Sequence, residues 1–310
     1  DHRDLHLSLR RQRQMCIRDR SYNILLKGAV RGTGKLELGR ELAINPGDIS
    51  DPLDGVPTKE PAFGLDAYWI EQSQSDEAKT LGYTIVDNAT VVATHLNSLL
   101  RSNSSDLLGH DETREILDKV ATRSPKLIED LIPDKLSVTT VMQVLKNILF
   151  ESISIRDIHT ILGTLLTESG KTQNPDELTE LVRPRLGHLM LQEIIELGDT
   201  LNVITLDPKL EQMLISSITQ SAKLGEVVIE PNLAEGLLDS VKKEKEDAEN
   251  QGHPAVIVVA PPIRPWLARM IKQRFSETTI LSYTEIPEDQ KIKVFARIGV
   301  TDETQEENQQ

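Results

Sequence analysis

Four helical patterns follow one another between about residues 108 and 196, and almost no chain separates them. Ile116, Leu117 and Val120 form one apolar stripe, and Val141, Val144, Leu145 and Ile148 a second. Ile158, Ile161, Leu162 and Leu165 form a third, and Leu178, Leu181 and Val182 run on towards Leu189 as a fourth. Such spacing is the mark of helices that bury one face. The joins are short: Ser124-Pro125, Ile132-Pro133-Asp134, Ser152 to Ser154, and Gly170 to Pro175. Short joins leave little choice but antiparallel packing against a shared core. Pro184 falls inside the fourth pattern and predicts a kink or break there, because proline lacks the amide donor and crowds the preceding turn.

The flanks read differently. Ala255 to Ala260, AVIVVA, is an unbroken apolar run, as in a central strand covered on both faces. Strands are also predicted around Val203-Ile204, at 278–283 and at 291–298, with helices from Pro208, from Glu230-Pro231 and over 264–275. That alternation describes a compact α/β sheet domain. On the N-terminal side, Tyr22 to Lys27 and Lys35 to Ile44 read as strands, with the glycine-rich Gly28–Gly34 as the turn between them. Residues 45–64 are dense in Gly and Pro and read as a loop. Ala67 to Glu71 is a short strand, a short helix covers 75–81, and Tyr83, Ile85 and Val86 form another strand. The chain then turns at Asp87-Asn88 into a helix with Val92, Leu96 and Leu99/Leu100 as its apolar face.

Charge narrows the function classes. The net charge is −14, and only 3% of residues are aromatic. Nucleic-acid modules need a basic face, and single-strand binders need stacking platforms, so nucleic acid is not an expected partner. No run of 18 apolar residues occurs. The first 20 residues hold six Arg against three Asp and contain Cys16, the single cysteine. They differ so much from the rest that residues 1–21 read as a non-native or disordered lead, and the polar tail 301–310 as disordered.

Catalytic and metal motifs are weak. GAVRGTGK, residues 28–35, has five residues between Gly28 and Gly34, where a phosphate loop has four. Leu36 also stands where the metal-binding hydroxyl belongs. The histidines His95, His110, His159, His188 and His253 form no HxxxH or HExxH, so no metal site and no cofactor is expected. Asn88 sits at the strand-to-helix turn where a nucleophile elbow has serine. Thr94-His95 reads as Thr partly buried and His at the rim of a helix. The rival reading, a metal-free hydrolase using Thr94 and His95, needs a carboxylate to orient the imidazole. Read alone, Phe63 in EPAFGL plugs the core of its own domain, although loops also carry binding anchors.

Several stretches together resemble the FHIPEP family, type III export gate proteins of the flagellar FlhA type, in their large cytoplasmic domain. They include YNILLKG (22–28), KEPAFGLDAYWIE (59–71), LGYTIVDNATVVATHL (81–96), PKLIEDLIP (125–133) and SIRDIHTILGTL (154–165). TLDPKLEQML (205–214), IEPNLAEGLL (229–238), PPIRPWLARMI (261–271) and ILSYTEI (280–286) complete the match. The resemblance implies a multi-subdomain α/β fold: a mixed α/β N-terminal part with an inserted subdomain, a helical middle and a compact α/β C-terminal subdomain. Residues 22–38 and 88–107 would form an incomplete first subdomain, 39–87 the inserted second, 108–187 the helical third and 188–300 the fourth. It further implies no catalysis. The full-length protein would form a homo-oligomeric ring under a multi-pass part in the bacterial inner membrane, with this portion on the cytoplasmic side. Its partners would be flagellar export chaperone–substrate complexes and other export-gate and export-ATPase components. The docking residues carried over are Glu60, Phe63, Val86 and Thr94. The paralogous export gate of virulence secretion is the alternative within the family.

Overall fold

The structure is a computed structural model describing residues 20–47, 49, 52–222, 230–275 and 278–299. The expectations for Cys16 and the tail, and for all of the lead except Arg20 and Ser21, lie outside those residues. The chain divides into two compact units, with the boundary between Asn103 and Ser104.

In the first unit, β1 (Ser21–Leu26) and β2 (Ala29–Lys35) form an antiparallel hairpin. Lys27 and Gly28 make its turn with φ of 52° and 82°, the positive pair that matches the strands' own twist. The turn is therefore two residues long, and the expected turn over Gly28–Gly34 is mostly strand. The reason is tertiary. A Cβ on Gly34 would lie 2.5 Å from the ring of Tyr22, and one on Gly32 would lie 2.4 Å from Leu99 and 2.7 Å from His95. These glycines make room for neighbouring side chains instead of bending the chain.

A second sheet has the order β4-β5-β3-β6, with β3 at Arg40–Ile44, β4 at Val56–Lys59, β5 at Asp66–Glu71 and β6 at Thr84–Val86, all antiparallel. β4 falls inside the stretch expected to be loop. It is an edge strand, where Pro57 is tolerated because one side needs no ladder hydrogen bond. Helix α1 (Ser75–Thr80) precedes β6, and α2 (Asn88–Ser102) follows it. Asp87 caps α2 by accepting from Thr90 N–H at 2.7 Å. The buried face of α2 carries Val91 and His95, while Leu96 and Leu100 are exposed. The face is thus rotated by one residue from the one expected, and His95 is buried instead of lying at the rim.

The second unit opens with helices α3 (Ser104–Leu107), α4 (His110–Arg123), α5 (Pro125–Leu131), α6 (Val138–Phe150), α7 (Ile158–Glu168) and α8 (Pro175–Val182). Their starts are fixed locally: Ser137 and Asp157 accept from the amides of Thr140 and Thr160, and Asn174 accepts from that of Asp176. At Pro184 the α-helix gives way to a 3-10 turn over Arg183–Leu186, then resumes as α9 (Gly187–Gln192). The stripes predicted for α6 and α7 are buried, apart from a partly buried Ile158.

A parallel sheet follows, in the order β10-β7-β8-β9, built from β7 (Leu201–Leu206), β8 (Val256–Val259), β9 (Thr279–Ser282) and β10 (Ile292–Ile298). Its two faces serve different cores. Leu201, Val203, Val256, Val258 and Leu281 pack with the helices α4 to α9. Ile204, Leu206, Ile257, Val259 and Ile280 pack instead with α10 (Pro208–Ala222), α11 (Pro231–Asn250) and α12 (Arg264–Lys272). All four side chains of β8 are buried, as the unbroken apolar run requires.

A charged cluster is sealed into this unit. Arg183 grips Glu285 with two parallel bonds, Nε to Oε1 and a terminal nitrogen to Oε2, both 2.9 Å, and donates to Glu151 at 2.9 Å and to the Ile280 carbonyl at 3.1 Å. Arg264 pairs with Glu180 through two bonds, one of 2.7 Å, and donates to Glu151 at 2.6 Å. Both arginine side chains are 1% exposed. Removing one partner from such a buried set leaves an unpaired charge and costs about 3–5 kcal/mol. Arg183→Met should therefore lower unfolding stability by that amount in chemical denaturation. Removing Glu285 as well, in Arg183→Met/Glu285→Leu, should recover a substantial part of it. Unchanged stability in the single variant would contradict this account.

Candidate functional site

The carboxylate of Glu60 organises the turn that follows it. Oε1 accepts from Ala62 N–H at 2.8 Å, and Oε2 accepts from Phe63 N–H at 2.7 Å. The backbone closes the same turn: Glu60 N–H donates to the Leu65 carbonyl at 2.8 Å, and Gly64 N–H donates to that of Glu60 at 2.9 Å. Gly64 takes φ of +73°, which suits glycine in so tight a loop. Charge-assisted bonds of this kind are among the stronger ones in proteins. Their effect is to hold Phe63 outwards. It is 60% exposed, although a loop phenylalanine in a chain this poor in aromatics was expected to enter its own core.

Beside Phe63 lies a small hollow of about 70 Å3, lined by Ile44, Glu60, Phe63, Leu65, Val86, Val91 and Thr94. The four residues carried over from the family, Glu60, Phe63, Val86 and Thr94, thus come together in space. Val86 arrives at the end of β6, and Thr94 sits in the second turn of α2. Val91 lies one turn before Thr94, and Ile44 ends β3. Neither of these two was anticipated. The only signals were helical spacing (Val91 to Thr94) and the pairing of β3 with β6, which sequence spacing alone does not reveal. A drug-sized ligand needs roughly 300–1,000 Å3, so this apolar hollow is of side-chain size.

Behind the hollow is a polar pair. His95 Nδ1 and the Tyr22 hydroxyl are 2.8 Å apart and buried, with their rings edge to face at 5.7 Å. Burial pushes the Tyr22 hydroxyl up to about 12, helped by the Glu60 charge. Burial also lowers His95 below its usual 6.5, while Glu60 pulls it the other way. The tautomer of the neutral imidazole sets which of the two donates. The hydrolase reading required a carboxylate hydrogen-bonded to this imidazole, and its bonded partner is Tyr22 instead. Adjacent helical residues do not face each other, so Thr94 and His95 point to different surroundings: the hollow and the hairpin. Among the described residues, no three His, Cys, Asp or Glu side chains are grouped so as to hold a metal ion. Nor is any helix among them long and apolar enough to cross a membrane.

The fold is shared with the EscV cytosolic domain from the type III secretion system, which superposes with a TM-score of 0.71 at 22% identity, covering 91% of this chain and 83% of that one. The CdsV protein of Chlamydia pneumoniae superposes with a TM-score of 0.80 at 22% identity, covering 91% of this chain and 82% of that one. The nonameric SctV-C of EPEC superposes with a TM-score of 0.73 at 23% identity, covering 90% and 84%. The chain belongs to the FHIPEP family, which it matches over residues 6–291. The flagellar biosynthesis protein FlhA of Yersinia enterocolitica is 40% identical over 280 residues, which is 90% of this chain and 40% of that protein. The chain therefore spans about two fifths of the length of that relative.

Two outcomes test the geometry. Glu60→Ala removes both bonds to the turn amides, each a charge-assisted bond worth about 1.5–3 kcal/mol. Amide exchange at Phe63 should accelerate, and stability should fall by about 2 kcal/mol or more. Unaltered exchange would mean that the carboxylate does not hold the turn. The second outcome concerns pH. The folded state resists protonating His95 while the unfolded chain accepts a proton near 6.5, so stability is full above that value. It should fall as pH drops from 6.5 through the lower folded value. His95→Gln should flatten that part of a melting-temperature profile.

Proposed function

We propose that this chain is the cytoplasmic docking platform of a flagellar type III protein export gate, binding export chaperone–substrate complexes for flagellum assembly. The observation that carries the reading is Phe63, exposed on a turn that Glu60 locks and set beside a hollow of side-chain size. An aromatic held out rigidly next to a small apolar recess has the anatomy of an interface hot spot. Phe63 is the anchor, Val86 and Thr94 form the facing wall, and Glu60 fixes the anchor from beneath. On this reading the chain performs no catalysis. The buried, Tyr22-bonded His95 supports that view over the hydrolase alternative.

The flagellar assignment over the virulence paralogue is supported by the difference between 40% identity to the Yersinia flagellar protein and 22–23% to the secretion proteins. The nonameric state of SctV-C supports a homo-oligomeric ring for the complete protein, working with other export-gate and export-ATPase components. The complete protein would be anchored in the bacterial inner membrane, with these residues on the cytoplasmic side. The four-subdomain division, with 39–87 inserted between 22–38 and 88–107 and with 108–187 followed by 188–300, belongs to the same proposal.

Phe63→Ala should weaken binding to a flagellar chaperone–substrate complex by about thirtyfold, the equivalent of about 2 kcal/mol. Its melting temperature should barely move, because little of the ring is buried in the free fold. A large loss of stability with unchanged binding by the folded fraction would sink the proposal.

A further inference from the structure

Among the described residues, no strand lies on the outer side of β10 in the parallel sheet. Among the described residues β10 pairs with β7 alone, so the backbone groups on its other side have no strand partner. It is also incompletely covered. The register sets Ile292 opposite Leu201 and Val294 opposite Val203, and directly opposed residues share a face of the sheet. Leu201 and Val203 are buried against the helical layer, 0% and 1% exposed, whereas Ile292 and Val294 are each 50% exposed. The layer that seals β7 therefore stops short of β10. An open, apolar edge is a template for another strand, and proteins ordinarily blunt it.

The charges along this edge say what fits it. Lys291, Lys293 and Arg297 are exposed on or beside β10, with Glu288 and Asp289 confined to the loop before it. A second copy paired edge to edge would set these cations against one another, and like charges facing across strands destabilise. An acidic segment meets the opposite situation. We propose that β10 accepts an extended, acidic segment of another protein as a fifth strand. Main-chain bonds would supply affinity, apolar side chains at alternate positions would cover Ile292 and Val294, and the carboxylates between them would meet Lys293, with Lys291 beside it, on the other face. This surface is separate from the Phe63 hollow and does not depend on the reading given to that hollow.

The test uses the whole chain and a labelled ten-residue peptide alternating Val and Glu, followed by fluorescence anisotropy. A peptide alternating Val and Lys is the control. The Val/Glu peptide should bind at least tenfold tighter than the control. N-methylating alternate amides of the probe should abolish binding, which side-chain docking alone would not require. Val294→Glu should weaken binding at least tenfold with the melting temperature retained, and Phe63→Ala should leave it unchanged. Equal binding of the two peptides, or insensitivity to N-methylation, would overturn the proposal. So would a tenfold gain in probe affinity on deleting 301–310, which would assign the edge to the chain's own acidic end. Concentration-dependent dimerisation abolished by Val294→Glu would assign it to a second copy.

Discussion

The second unit is organised around a buried exchange of charge. Arg183 and Arg264 bring two cations into a space shared with Glu151, Glu180 and Glu285. Each residue comes from a different place in the chain: the end of α6, α8, the 3-10 turn, the start of α12 and the turn after β9. None of these segments can shift without unpairing a charge in a medium that solvates it poorly. Burial raises the Glu180 carboxyl above its ordinary value, against the opposing pull of Arg264. Hydrophobic packing would tolerate several arrangements of helices against a sheet. The guanidinium forks tolerate far fewer, because their bonds are planar and directional.

The same logic appears on a smaller scale around Phe63. An acidic residue in a binding loop is ordinarily read as a contact for the partner. Here the carboxylate of Glu60 is turned onto the loop's own amides, and it fixes where the aromatic stands. Rigid presentation limits the entropy lost when a partner binds. It also explains why the turn is short and why its return needs a glycine at position 64.

How much of this was legible in the sequence depended on how local the cause was. The stripes of α6 and α7 and the buried run of β8 were readable because periodicity and apolar content are properties of the segments themselves. The break at Pro184 was readable for the same reason. Gly32 and Gly34 misled because glycine signals a turn unless its neighbours are known, and here the neighbours are Tyr22, His95 and Leu99. β4 was missed because its strand character comes from β5. His95 reads as a rim residue because its hydroxyl partner is 73 positions away, and Arg183 gives no sign of a partner 102 positions on. The residues around the hollow came from the family resemblance. Leu65 lies on the same turn as Phe63, whereas Ile44 and Val91 follow from strand pairing and helical phase, neither of which the residue types announce.

The run Val256–Val259 has a consequence for how the sheet finds its alignment. Because every side chain in it is apolar, sliding β8 by one residue would exchange its two faces and still leave greasy surface on both sides. Hydrophobicity therefore cannot tell the correct alignment from its neighbour. The distinction rests on polar stops at the two ends of the strand. Thr279 N–H donates to the Ala255 carbonyl at 3.2 Å, and Ala260 N–H donates to Glu211 on α10 at 2.7 Å. A single inserted residue between those stops would strand one of them and send each core the other's side chains. In this segment, length is a stricter inheritance than composition.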